Sequence, residues 1–458
     1  MSADTRDRAR QPRVRPALRR IAIGAFVILL PVAAHSLWDH IEIRRLVREI
    51  ETIRDKGEPV SERRAVAPYP SSGEARGAAS YYLAGAMLAL DASRTPVNAA
   101  VRKWLAAPTA DQEILQQIAA PLHQYVEQSR DALVLADTAA RLHFAGFPAG
   151  SEYSYRVAAL GSLSRLIAAR TLSSSLTGQA EAAVDSAISG LQARRALREA
   201  HWPATSVNDV AGVLSLTEPP PEALRRLQVA LEAEDKPERM AEGFLGERAR
   251  YVERLWRRYY GSDPHSPRHY TLPTRSLIET VLRPWLTHDA VAALRLWAEL
   301  GEVVRTPWPQ KGSAIAAAQA KYGLEDDRRP SRPLGLLMSR GLPFSAFRQA
   351  VDAGPLIIDR SARVAVAVER FRRDHAGAVP ETLAALVPRY LSDIPPDPFT
   401  GAPLLYKTET DAYTIYSVGS NHEDDGGDLT SEWRISEDDS GRRVLRSADI
   451  GVRVVRPR

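Results

Sequence analysis

The 458-residue chain contains no cysteine. Disulfide frameworks, thiolate nucleophiles and every zinc shell that needs sulfur are thereby excluded, while the redox compartment is left open. Net charge is also missing from most of the chain. The formal charge is +5, and residues 1–20, with seven arginines against Asp4 and Asp7, account for all of it. The basic pI of about 9.4 reflects that one segment. Phosphate recognition needs a basic surface, so nucleic acid is not an expected partner. Catalytic signatures are absent too: there is no H-E-x-x-H, G-x-S-x-G, Walker loop or dinucleotide-binding glycine pattern. His265 and His269 in "DPHSPRH" have a metal-like spacing, but Pro267 lies between them and no cysteine can complete a zinc shell. They read as structural or surface histidines. No reaction or substrate is legible, and a non-enzymatic protein is favoured over an enzyme.

What is present describes a folded protein. Apolar residues make up 44% and charged residues 26%, the balance of a globular chain, and the length favours two or three domains or an extended helical array. After the Arg-rich tail of residues 1–20 comes "IAIGAFVILLPVAAHSLW", an 18-residue run from Ile21 to Trp38 without Asp, Glu, Lys or Arg. As a helix it spans roughly 27 Å, just enough for a bilayer core. The arginines before it belong on the cytoplasmic side, which leaves residues 39–458 outside and Trp38 at the outer interface. Two other readings stay open. One is a cleaved signal peptide, with Val32 and Ala34 at the small-residue positions before the cut. The other is a buried core helix.

Beyond the run, "DHIEIRRLVREIETIRDK" puts Ile43, Leu46, Val47, Ile50 and Ile53 on one helical stripe, so residues 39–74 read as an amphipathic stalk over 39–56, ended by Gly57, and a Pro/Ser-rich linker over 58–74. Residues 75–354 are Ala/Leu-rich with recurring helical periodicity, at 75–92, 155–172, 180–200, 220–234 and 290–300. The pair 155–172 and 180–200 resembles one tetratricopeptide-type hairpin, but no second copy recurs at a fixed period. An irregular helical bundle and divergent repeats both remain open. Near residue 355 the pattern changes. "IIDRSARVAVAVERFRRDH" carries Ile357, Val364, Val368 and Phe371 on a stripe, "PETLAALVPRYL" reads as a short helix, and strands follow at 404–407, 412–418 and 450–455. Helices followed by a small antiparallel sheet make residues 355–458 an α+β domain, and the fold class α+β.

Within that domain stand a stripe helix, a Pro-led segment, Asp397-Pro398-Phe399 with Gly401, and a Tyr-rich strand ending Tyr416-Ser417-Val418-Gly419. An acidic glycine loop, "SNHEDDGGD", closes the set. About a hundred residues together resemble the globular domain of the major pseudopilin of type II secretion. That resemblance implies calcium as a cofactor, held by Asn421, Asp424, Asp425 and Asp428 with backbone carbonyls near Ser417 to Gly419. Asn421 stands where the family has Asp, so one formal charge is missing. The residues by themselves point the same way, since calcium wants six to eight hard oxygens and glycines let carbonyls turn inward. They fit a solvated hairpin tip equally well. An EF-hand register over Asn421, Glu423, Asp425, Gly426 and Glu432 is poor, because a strand enters where a helix belongs.

The pseudopilin leader and its "FTLxE" start are absent around Ile21, so the chain is not expected to assemble as a pseudopilin. The overall plan is similar to that of membrane-anchored bacterial envelope proteins of unknown activity. The expected protein is a single-pass protein of the bacterial inner membrane, N-terminus cytoplasmic and bulk periplasmic, that serves interaction or assembly with envelope partners. An envelope hydrolase with its site in the helical domain is the alternative. Glu369 and Asp374 read as exposed charge on a helix face, and the six arginines after residue 441 read as balancing the acidic loop.

Overall fold

The computed structural model describes residues 14–60, 73–92, 112–142, 153–199, 209–234, 238–260, 277–322, 347, 351–429, 434–437, 443–446 and 449–456. His265, His269 and residues 61–72 of the expected linker lie outside these. The helices are α1 (Val14–Asp55), α2 (Gly73–Ala92), α3 (Gln112–Gln128), α4 (Arg130–Arg141), α5 (Tyr153–Leu176) and α6 (Ala180–Glu199). They continue with α7 (Asp209–Leu216), α8 (Pro221–Glu232), α9 (Glu238–Tyr260), α10 (Leu277–Arg305), α11 (Gln310–Tyr322) and α12 (Gly354–Asp374). The strands are β1 (Leu405–Thr408), β2 (Ala412–Ser417), β3 (Arg434–Glu437), β4 (Arg443–Arg446) and β5 (Ile450–Val455). A mainly helical body with a small antiparallel sheet is the α+β plan expected from the sequence.

Helix α1 carries the apolar run and the stripe after it without a break, and it is long and apolar enough to cross a membrane. Its two halves are buried differently. Phe26, Leu29, Leu30, Val32 and Leu37 are exposed, whereas Leu46, Ile50 and Ile53 are buried, with Ile43 and Val47 packed beside them. The helix ends where Gly57 takes a positive φ of 73°, and the Gly57 and Glu58 N–H groups turn back onto the Arg54 and Ile53 carbonyls. The stripe expected to form a stalk is one wall of a core. It packs against Phe244 and Val252 of α9 and Leu294, Trp297 and Leu300 of α10.

Charged pairs lace α1 to α10 along its length. His35 meets the Val281 carbonyl at 2.8 Å, Arg283 Nε donates to Asp39 at 2.8 Å, His288 lies 3.3 Å from Glu42 and Arg295 Nε donates to Glu49 at 2.8 Å. Beyond the helix end, Arg305 pairs with Glu58. The sequence offset stays between 244 and 247 residues throughout. A constant offset between two helices means that they run parallel and in register.

A second core gathers α2, α3, α4 and α5 around Tyr82, Leu122, Leu163 and Ile167. Small residues set its spacing: a Cβ on Gly85 of α2 would stand 2.9 Å from the Ala132 carbonyl of α4. The expected hairpin is there as α5 and α6, turned by Gly178 at φ 72°. The third core joins α6, α7 and α8 to α12 and the sheet, with Leu191, Val213, Leu227, Val366, Ile415 and Val452 in one cluster. The C-terminal module thus shares its core with the helical body.

The main sheet has the order β1-β2-β5, all antiparallel. Its central strand, β2, is buried at all six positions. Tyr413 and Ile415 lie in the core with α12, and a Tyr413 hydroxyl bond to the Ala365 carbonyl at 3.3 Å ties the strand to that helix. Gly451 lets β5 close on β2, since a Cβ there would lie 2.1 Å from the Ile415 carbonyl oxygen. One local expectation changes. "PETLAALVPRYL" forms only a 3-10 turn at Leu383–Leu386, because Pro388 lacks the amide a longer helix would need. A β3–β4 hairpin forms between the acidic loop and β5.

Candidate metal-binding loop

The acidic loop leaves β2 through a 3-10 turn at Gly419–Asn421, and His422 adopts a left-handed φ of 58°. The chain then folds back over the sheet. Gly427, at φ 78°, sits so close to β2 that an added Cβ would be 3.3 Å from the Tyr416 ring and 3.5 Å from Thr414. Gly427 of "DDGGD" therefore serves a steric purpose: it lets loop backbone cover the outer face of a fully buried strand. Asp397 of the "DPFTG" segment holds the loop's entry. Its carboxylate accepts the Phe399 N–H at 2.8 Å and the Val418 N–H at 3.3 Å.

Inside the loop the carboxylates are bound locally. Asp424 accepts the Tyr416 hydroxyl at 3.0 Å and the Gly426 N–H at 2.9 Å. The Asn421 amide donates to Asp425 at 3.1 Å, and its oxygen accepts the Glu423 N–H at 3.2 Å. Lys407 donates to the Gly426 carbonyl at 2.8 Å and so brings an ammonium to the loop. Asp428 is half-buried in the same turn. Burial, then the bond to Asp424 and its charge, push the Tyr416 phenol up to about 12.

One further acid joins this group. Asp449, only 4% exposed, accepts the Gly427 N–H at 2.7 Å through Oδ2, while its buried Oδ1 has no hydrogen-bond partner. Burial raises its pKa; backbone bonds from Gly427 and Asp425 oppose this, and the charges of Asp424 and Asp425 add to it. The sequence signal for Asp449 was register. Because Ser417 pairs with Ile450, the residue just before β5 must stand beside the place where the loop leaves β2. Hard oxygens and an orphaned buried carboxylate oxygen are the donor chemistry calcium uses. Among the described residues, however, no three His, Cys, Asp or Glu side chains stand close enough together to hold a metal. The carboxylates are spread over backbone N–H groups rather than aimed at one point.

A separate ionic network lies beneath the sheet. Glu369 of α12, expected on an exposed face, is 1% exposed. It accepts the Tyr413 hydroxyl at 2.9 Å and Arg372 Nε at 2.9 Å, and it pairs with Arg456. Arg372 and Arg373 reach Glu218 at 2.7 and 2.6 Å, and Arg456 pairs with Glu218 as well. Burial alone would raise the Glu218 pKa, but the guanidiniums of Arg456, Arg372 and Arg373 outweigh it and hold the carboxyl low. That face is buried because α12 is covered on both sides, by the sheet and by α7 and α8. Asp374 is half-exposed and binds Tyr390 and Arg389, each at 2.8 Å. Of the late arginines, Arg453 pairs with Glu409 and Arg456 with Glu218 and Glu369, so neither neutralises the acidic loop.

No family model, curated protein or solved structure matches the chain.

Proposed function

We propose that this chain is a single-pass protein of a bacterial inner membrane, with its N-terminus in the cytoplasm and residues 39–458 in the periplasm. There it serves interaction or assembly with envelope partners rather than catalysis. The observation that carries this reading is the change of environment along α1. The same uninterrupted helix exposes its apolar side chains as far as Leu37 and buries its stripe from Leu46 onward. An exposed band of that length costs free energy in water, at about 25 cal/mol per Å² of apolar surface, and is relieved by lipid. The seven arginines before it support a cytoplasmic N-terminus.

The pseudopilin-like module would then stand outside, where calcium is the hard cation its loop takes up. Calcium would have to draw the proposed ligands Asn421, Asp424, Asp425 and Asp428 together from their present local bonds, and Asp449 with its unpartnered Oδ1 supports adding a fifth. When bound, the cation would cancel the repulsion among Asp424, Asp425 and Asp449 and fix the loop over β2. A reporter that functions only outside the cytoplasm, fused after Lys56, is expected to be active. Activity confined to a cytoplasm-only reporter overturns the topology. A mature protein beginning near His35 would keep the periplasmic side and remove the anchor.

A further inference from the structure

Helix α10 starts beside the apolar run of α1, not beyond it. The parallel register places Val281 level with His35 and Trp285 level with Asp39, so the first turns of α10 lie at the height of the last turn of the run. Val281, Leu282 and Trp285 are 49%, 45% and 49% exposed there. Leu37 of α1, 61% exposed, stands at the same height. Trp285 meets Trp38 edge-to-face, with ring centroids 4.4 Å apart. Paired indoles at the end of an apolar helix match the chemistry of a membrane interface, where one end of each ring is apolar and the other wet.

We infer that the N-terminal turns of α10 rest in the interfacial layer of the bilayer that α1 spans, so that the body stands on two parallel helices. This rests on α1 being the membrane anchor. The occupant is phospholipid rather than another protein, because these exposed side chains stand at the height of the last turn of the apolar run that α1 exposes. The one arginine inside it, Arg283, enters already neutralised by Asp39. Such a foot would fix the tilt of the stalk, which a single span leaves free.

The cysteine-free sequence makes the test direct. Leu30→Cys, Leu282→Cys and Val229→Cys variants of the full chain would each carry a nitroxide in vesicles of phosphatidylethanolamine and phosphatidylglycerol. Collisions with oxygen report lipid, and collisions with a water-soluble nickel chelate report solvent. The Leu282 label is expected to lose nickel collisions and gain oxygen collisions as the Leu30 label does, with Val229, exposed on α8, reporting water. If Leu30 reports lipid but Leu282 reports water, the foot is refuted and the anchor stands. Low collision with both reagents at Leu282 would mean cover by protein and equally refutes it. Water at both Leu30 and Leu282 removes the anchor and the foot together.

Discussion

Replacing Asp209 by Asn should stabilise the protein near neutral pH and not in acid. Asp209 opens α7 and is 3% exposed, and its Oδ1 lacks a hydrogen-bond partner. Burial pushes its carboxyl from 3.8 to about 6, and the Arg194 guanidinium pulls it back only in part. Arg194, on α6, also faces Asp359 of α12 at 3.8 Å, so one cation serves two acids. Because the folded value lies above the unfolded one, the folded state holds its proton more tightly. The associated stability is fully present below 3.8 and is lost as pH rises through about 6. The interval between those values corresponds to ~3 kcal/mol once the group is ionised, of which ~2 kcal/mol is lost between about pH 4 and pH 7. Asn keeps the shape and removes the titration. Urea unfolding of the detergent-solubilised full chain, followed by tryptophan fluorescence, should show the Asn variant gaining ~2 kcal/mol on the native protein over that interval. Using the difference between two pH values cancels any fixed packing cost of the amide. Parallel pH profiles for the two proteins would refute the argument and mean that Asp209 is better solvated, or better paired, than its burial implies.

Glu369→Gln removes the charge that Arg372 and Arg456 share in the buried network, and breaking a buried pair of this kind costs about 3 kcal/mol or more. Loss of hydrogen-exchange protection in both α12 and β5 is the expected signature, and unchanged protection would place the network's weight elsewhere. For the acidic loop, calcium at a hundredfold excess over Kd should add about 2.7 kcal/mol to stability, and Asp425→Ala should remove most of that gain. Asp449→Asn should also lose the gain while stabilising the calcium-free protein above the raised pKa of Asp449, because it deletes an acid that the fold disfavours in its charged form. Identical melting of the full chain in millimolar calcium and in chelator would end the calcium proposal.

The parts of the fold legible in the sequence were those set by local pattern. The α5–α6 hairpin, the start of α8 at Pro221 and the strands β1, β2 and β5 follow from periodicity, proline placement and alternation, and they fall within a few residues of expectation. Partners distant in sequence were not legible. Nothing in residues 39–56 says that their stripe meets α10 some 245 residues later, because a stripe records that a face is buried and not what buries it. In the acidic loop, Asn421, Asp424 and Asp425 stood out by composition. Asp449 did not, since its role depends on strand register.

Helix α12 shows why the charge network stayed hidden. Its stripe of Ile357, Val364, Val368 and Phe371 reads as one face turned to a sheet, which leaves the opposite face to water. The opposite side holds Ala362 and Val366, with Ala365 and Ala367 on the two flanks, and all four are buried as completely as the valines of the stripe. Alanine scores as nearly neutral in any hydrophobic pattern, yet on a helix it permits a second element to approach, and here α8 and α7 take that place. Once both faces are covered, an acid on the boundary between them must be buried and must find cations. Glu369 finds one on its own helix in Arg372 and one at the chain's end in Arg456, and both also bind Glu218 from the α7–α8 connection. Strand β5 is also clamped to the last turn of α7 through the bond from the Val455 N–H to Ser215 at 3.1 Å. Held this way, α12 and β5 cannot shift against the α7–α8 connection without separating Glu369 and Glu218 from the arginines they share.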